Sequence, residues 1–185
     1  LDPDAVAPDA FDEPYSRVTG AGVIFGASGG VAEAALRMAV EKLTGQKHPD
    51  HLEFTAVRGL AGVRDATITA GGRTVRVAVI SGLGNAEPLV ARVVAGEDTG
   101  YDLIEIMACP GGCIDGAGNP APAKVGELRE RTEVLFDIDR TSTYRRSQDN
   151  NFTGLQHPET FTTDDLSPTG IDRLAAAIVQ ARRAQ

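Results

Sequence analysis

The stretch Val75-Arg76-Val77-Ala78-Val79-Ile80-Ser81-Gly82-Leu83-Gly84 puts an apolar strand directly against a glycine break. Upstream, Ala66-Thr67-Ile68-Thr69 and the pair Gly71-Gly72 make it the second arm of a hairpin, because adjacent glycines supply the positive φ angles of a two-residue turn. Downstream, Asn85 can cap a helix over residues 86–95, with Pro88 tolerated in its first turn and Gly96 closing it. A third strand then runs over residues 102–107. The same order of strand, glycine break and helix occurs earlier: Ala21-Gly22-Val23-Ile24-Phe25 reads as a short buried strand, and Gly26-Ala27-Ser28-Gly29-Gly30 interrupts it. Residues 31–43 then carry Ala32, Ala35, Leu36, Ala39 and Leu43 on one helical stripe. Glu33, Arg37 and Glu41 are spaced to pair along the other face, and Thr44-Gly45 ends the helix. Strands alternating with helices, plus one hairpin, place the chain in the α/β class: a mixed sheet flanked by helices.

The remaining segments fill in around this frame. Leu52-Glu53-Phe54-Thr55-Ala56-Val57 alternates like a strand, and Val125, Leu128, Thr132, Leu135 and Phe136 mark another amphipathic helix. Residues 1–17 read as a solvated lead-in, 18–139 as the folded lobe, and 140–185 as a tail with little structure until its end. There Ser167 can cap and Pro168 can start a helix whose apolar stripe is Ile171, Leu174, Ala175, Ile178 and Val179.

Composition closes off several functional classes. With 18 Lys plus Arg against 26 Asp plus Glu, the net charge is -8. A nucleic-acid partner is therefore excluded, since neutralising phosphates takes clustered cations. No apolar run approaches the ~20 residues of a membrane span. The chain begins at Leu1 without the basic and apolar pattern of a leader, which suggests a fragment or trimmed product and a cytoplasmic location. Glycine is over-represented, at 21 of 185 residues against a usual ~7%, and the excess gathers at 20–30, 82–84 and 111–118.

The glycines at 26–30 follow a strand and open a helix, where a dinucleotide could sit on exposed N–H groups. The G-x-G-x-x-G spacing and a Walker lysine are both missing, so a tight strand-to-helix turn is the better reading, and close approach of backbone to a bulky cofactor is a third. The segment Glu105-Ile106-Met107-Ala108-Cys109-Pro110-Gly111-Gly112-Cys113-Ile114-Asp115-Gly116-Ala117-Gly118-Asn119-Pro120 says more. Cys109 and Cys113 are the only cysteines, and their C-x-x-x-C spacing does not match a thioredoxin-like C-x-x-C. Thiolates brought to one compact turn can ligate metal. The surrounding glycines let backbone N–H groups approach sulfur, which tunes reduction potential. Zinc would need further ligands, and only His48, His51 and His157 are on offer. Residue chemistry alone leaves an iron-sulfur role level with two free thiols.

The same segment resembles the C-terminal cysteine motif of the iron-only hydrogenase catalytic domain, E-[VI]-M-A-C-P-x-G-C-x-x-G-G-G-Q-P. Ile24-Phe25-Gly26-Ala27-Ser28-Gly29-Gly30-Val31, with Glu33-Ala34-Ala35-Leu36-Arg37, is similar to the family's I-F-G-A-T-G-G-V-M-E-A-A-L-R. Val57-Arg58-Gly59-Leu60-Ala61-Gly62-Val63 is close to V-R-G-L-x-G-I. These occur in the family's order, over about residues 18–149. Ala117 and Asn119 depart from the motif, and Arg145-Arg146-Ser147-Gln148-Asp149-Asn150 stands where the family has R-K-S-H-E-N.

The resemblance implies a function and a site. The family interconverts dihydrogen with protons and electrons at the H-cluster, a [4Fe-4S] cubane joined by a cysteine thiolate to a diiron unit. Carried over by motif position, Cys109 would be a terminal cubane ligand and Cys113 the bridging thiolate. Met107 would pack beside the diiron unit, and Phe25 and Gly26 would line its pocket. Gly111 and Gly112 would give the cofactor backbone access. The family's two other cluster cysteines lie upstream and have no counterpart here. The chain thus resembles the second lobe of a two-lobed domain, holding no cofactor and showing no catalysis alone, and competent only with its N-terminal lobe and ferredoxin or NAD-linked electron-transfer partners. The alternative implied is a hydrogenase-like iron-sulfur assembly or electron-transfer protein that binds a [4Fe-4S] cluster without the diiron unit.

Overall fold

The computed structural model describes residues 5–7, 9, 18–47, 52–120 and 124–150. His48, His51, His157 and the helix expected after Ser167 lie outside the described residues. Among the described residues the chain forms four α-helices, α1 (Gly20–Ile24), α2 (Gly30–Thr44), α3 (Leu83–Val94) and α4 (Val125–Thr141), and strands β1 (Val63–Ala70), β2 (Arg73–Ser81) and β3 (Leu103–Met107). The sheet order is β1-β2-β3.

The hairpin forms because Gly71 and Gly72 adopt φ angles of 56° and 73°, the twist that joins right-twisted antiparallel strands. Its register pairs Ala70 with Arg73 and Ala66 with Val77. β3 then pairs parallel to β2, with Val77 opposite Leu103 and Ser81 opposite Met107. The sheet is mixed, as the pattern implied. β2 is buried along its last five residues. Val77 and Val79 pack on Ala32, Leu36 and Val40 of α2, while strand alternation sends Ala78 and Ile80 to the other face.

Several expectations need correction. Residues 21–25 are not a strand. Gly20, Ala21 and Ile24 are buried and Phe25 is exposed, the one-sided i, i+1, i+4 burial of a helix. Thr19 starts that helix by accepting the Gly22 N–H at 3.1 Å, and only a glycine fits at position 20, where a Cβ would lie 2.2 Å from Asp139 Oδ1. Residues 52–57 do keep the alternating burial of Leu52 and Phe54 but find no strand to pair with, and the chain tightens into a 3-10 turn at Thr55–Val57.

On the other face of α2 the expected pairing of Glu33 with Arg37 is present, at 2.9 Å. Both residues are buried, at 0% and 1% exposure, because α1 and α4 cover that face. α4 continues to Thr141 and a 3-10 turn follows at Ser147–Asp149. At α3, Gly82 rather than Asn85 precedes the first helical residue. Asn85 lies inside the helix and donates from Nδ2 to the Ser81 carbonyl at 2.7 Å, and Pro88 falls in the second turn.

Candidate metal centre

β3 delivers the chain to the two thiols. Its last carbonyl, on Met107, accepts the Gly82 N–H at 2.8 Å, and beyond it the Gly112 N–H returns to the Cys109 carbonyl at 3.1 Å. Gly112 adopts φ 93° and ψ −158°, a region essentially closed to residues with a Cβ. A 3-10 turn at Cys113–Asp115 follows. Asn119 then donates from Nδ2 to the carbonyls of Cys113 at 2.8 Å and Gly116 at 3.1 Å, so the departure from the family's Gln still closes the turn with an amide. Both cysteines are free thiols; Cys109 is half-buried and Cys113 exposed. A Cβ at Gly116 would stand 3.7 Å from Cys109 Sγ.

Two backbone hydrogen bonds staple this turn to the glycine turn that follows α1. The Ser28 N–H donates to the Gly111 carbonyl at 2.9 Å, and the Ile114 N–H donates to the Gly26 carbonyl at 3.1 Å. The contact is close enough that a Cβ at Gly112 would lie 2.7 Å from Ser28 N and 2.8 Å from Gly26 O. Gly111 and Gly112 are themselves buried; the missing side chain of Gly112 makes room for the neighbouring loop. Arg131 of α4 holds the turn from behind, donating to the carbonyls of Ile114 at 2.8 Å and Pro120 at 2.9 Å.

The glycine turn is anchored in its own right. Glu105, buried on β3, accepts the N–H groups of Gly29 at 2.6 Å and Ala32 at 2.7 Å, supplying the acceptors that the unfilled N-terminus of α2 requires. Arg64 donates to Ser28 Oγ at 2.8 Å and to the Ala61 carbonyl at 2.6 Å. Burial lowers the affinity of its guanidinium for a proton, and the nearby Glu105 carboxylate partly offsets this.

Behind the site runs an ion network that joins distant segments. Arg37 forms a two-point pair with Asp139, both bonds 2.7 Å, and donates to Glu33 at 2.9 Å. Arg58 reaches Glu33 at 2.7 and 2.6 Å and lies 4.0 Å over the Phe136 ring. Arg145 completes it with bonds to Asp139 at 2.6 Å and to Glu53. Burial works against the Asp139 carboxylate, but the bonds from Arg37 and Arg145 outweigh it and hold the group below the ordinary carboxylate range. Glu53 is lowered in the same way, against burial, by Arg145 and Arg58.

Of the site residues expected from the sequence, Gly26, Gly111, Gly112 and Cys113 come together in the stapled turns. Met107 is half-buried at the end of β3, and Phe25 exposes 42% of its surface beside the turn. The anchors Glu105, Arg64, Arg131 and Asp139 escaped sequence reasoning. Two carried a signal. Glu105 shares the inward strand face with Leu103, and Asp139 extends the α4 stripe of Thr132, Leu135 and Phe136 by one turn. An acid on an apolar face must find a donor or a cation.

As a donor set, two thiols on one turn, with glycine clearance beside sulfur, suit a soft iron-sulfur group. They supply half of the four thiolates a cubane takes. Among the described residues no cluster of three or more His, Cys, Asp or Glu could hold a metal ion. Fold and site thus define an α/β protein that presents two thiols beside a glycine-rich turn. Comparison with known proteins agrees. Residues 1–117 match the family described as iron only hydrogenase large subunit, C-terminal domain, and the chain belongs to that family.

The chain is 49% identical over 121 residues to the periplasmic [Fe] hydrogenase large subunit of Nitratidesulfovibrio vulgaris, covering 65% of this chain and 28% of that one. It is 32% identical over 127 residues to a probable cytosolic Fe-S cluster assembly factor of Drosophila virilis, covering 68% of this chain and 26% of that one. Among solved structures, a variant of an [FeFe]-hydrogenase from Chlamydomonas reinhardtii aligns with a TM-score of 0.55 at 32% identity, over 88% of this chain and 48% of that chain. The chain spans about a quarter of the length of the curated relatives it matches.

Proposed function

We propose that the chain is the second lobe of an iron-only hydrogenase catalytic domain, contributing Cys109 and Cys113 to an H-cluster whose other ligands come from an N-terminal lobe. The observation that carries this reading is the double staple between the turn at 26–28 and the cysteine turn. It joins residues matched to two separate family motifs. When bound, the H-cluster supplies reversible proton and electron chemistry with dihydrogen. Cys109 would hold the cubane and Cys113 would bridge to the diiron unit. Met107 and Phe25, apolar and partly exposed, would exclude water from the reacting side. Gly26 would admit the group to the backbone. Electrons would pass to ferredoxin or NAD-linked partners in the cytoplasm.

The direct test matures the reading frame that contains this chain with its H-cluster. Cys113→Ser should retain cubane signals while losing the diiron unit and H2 evolution; a variant that keeps both would sink the assignment. Expressed alone, the chain should show no H2 turnover and take up little iron. A second reading, a [4Fe-4S] assembly or electron-transfer protein without the diiron unit, draws support from the similarity to the Drosophila virilis assembly factor. It is separated by the same preparation: cubane signals without diiron signals in the unsubstituted protein would favour it. Cell fractionation of the native protein checks the cytoplasmic placement.

A further inference from the structure

We infer that Glu105 is a positioning residue for the cofactor-facing loops: its buried carboxylate fixes where the glycine turn stands against the cysteine turn. Glu105 is only 7% exposed, and its two oxygens are each taken by one backbone N–H, Gly29 at 2.6 Å and Ala32 at 2.7 Å. Position 105 lies two residues before Met107 and four before Cys109, on a strand held rigidly by its parallel pairing to β2. Gly29 directly follows Ser28, whose N–H donates to the Gly111 carbonyl. The contacts therefore close a ring: Glu105, along β3 to Cys109, through Gly111 to Ser28, to Gly29 and back to Glu105.

Three features make this more than an ordinary helix cap. The cap is supplied from a strand 76 residues away in sequence, so it ties two loops rather than one helix end. Gly29 has no side chain that could replace it and sits at φ 94° with a prospective Cβ 2.1 Å from the Val57 carbonyl, so no local capping residue is possible there. The buried charge is also balanced within the site, by the N–H groups of α2 and by the Arg64 guanidinium, which itself holds Ser28. Without the carboxylate, the turn at 26–28 keeps its two backbone staples, the Arg64 contact and local bonds such as that from the Ala27 N–H to the Ile24 carbonyl.

The identity of the held group rests on the reading proposed above, while the mechanical part does not. Amide hydrogen exchange of the full chain, free of iron, is the test, comparing Glu105→Gln with Glu33→Gln. Glu33 is an equally buried carboxylate on α2, but it bonds Arg37 and Arg58 and no loop N–H. In E105Q the N–H groups of Ser28 and Ile114 should exchange at least ~10-fold faster relative to those of Val77 and Val79. In E33Q that ratio should stay unchanged. Retained protection of Ser28 and Ile114 in E105Q, or equal release in E33Q, would overturn the inference. If E105Q does not fold, Glu105→Asp keeps the charge with a shorter reach and should give a smaller release of the same two amides; wild-type protection there would count against the idea. In iron-loaded protein E105Q should shift the electron paramagnetic resonance of the reduced cluster, and an unmoved spectrum would overturn the cofactor-facing role. A complete reading frame that takes up no iron on reconstitution would defeat the proposed function while leaving the exchange result standing.

Discussion

Arg37 and Asp139 stand 102 residues apart in sequence and meet in a two-point ion pair, both bonds 2.7 Å, with both side chains wholly withdrawn from solvent. The pair locks α2 to α4 behind the loops that carry the thiols. Because it is buried, its value lies in completeness: the attraction offsets desolvation only while both partners are present.

Removing one partner should therefore cost far more than removing both. Asp139→Asn leaves the Arg37 cation buried and is expected to lower the unfolding free energy by about 3–5 kcal/mol. The double change Arg37→Met with Asp139→Leu is expected to cost less than Asp139→Asn alone. Urea denaturation of the unsubstituted chain and the two variants checks this; a double change that costs as much as Asp139→Asn or more would contradict it.

The same network sets an acid limit. Asp139 and Glu53 are held below their ordinary values of 3.8 and 4.5, so the unfolded chain binds protons first as pH falls. Their contribution is complete above those ordinary values and is lost as pH drops through the depressed folded ones. Denaturation midpoints should fall steeply between about pH 5 and pH 2, and the fall should be shallower in Asp139→Asn. Parallel profiles would show that other carboxylates control acid unfolding.

Glycine substitutions should divide by position. A Cβ at Gly30 would lie 1.7 Å from the Ile24 carbonyl, and one at Gly112 would meet Ser28 N at 2.7 Å from a φ of 93°. Alanine at either should cost at least ~3 kcal/mol, because fixed backbone must move. Gly84 and Gly126, inside α3 and α4, have nothing within 4 Å. Alanine there should be neutral or stabilise by up to ~1 kcal/mol. Thermal melts of the four variants decide the matter.

Thiol labelling reads the site without any catalytic assay. In iron-free chain the exposed Cys113 should alkylate faster than the half-buried Cys109. After iron-sulfur reconstitution of the complete reading frame both should be protected together. Protection of neither would count against the proposed ligand pair.

How far the sequence reached depended on the range of the force involved. Local patterns sufficed for the hairpin, whose turn is written in Gly71 and Gly72, and for α2 and α4, whose stripes repeat every three to four residues. They failed at residues 21–25, where five apolar residues satisfy strand and helix alike. Only contact with α4, pressing Asp139 against Gly20, selects the helix. They failed again at Glu33 and Arg37, where spacing showed that the two can pair and said nothing about which neighbours cover them.

The sequence by itself determined the chemistry available: two thiols four positions apart, glycines between and beyond them, and three motifs that mark the family. Those properties belong to covalent order and short-range geometry. Only the tertiary structure decided how they are assembled. The staples from Ser28 to Gly111 and Ile114 to Gly26, the Glu105 tie between β3 and α2, and the Arg37 and Asp139 lock all join residues far apart in the chain. Each depends on burial and close approach, which arise only when separate elements pack and exclude water.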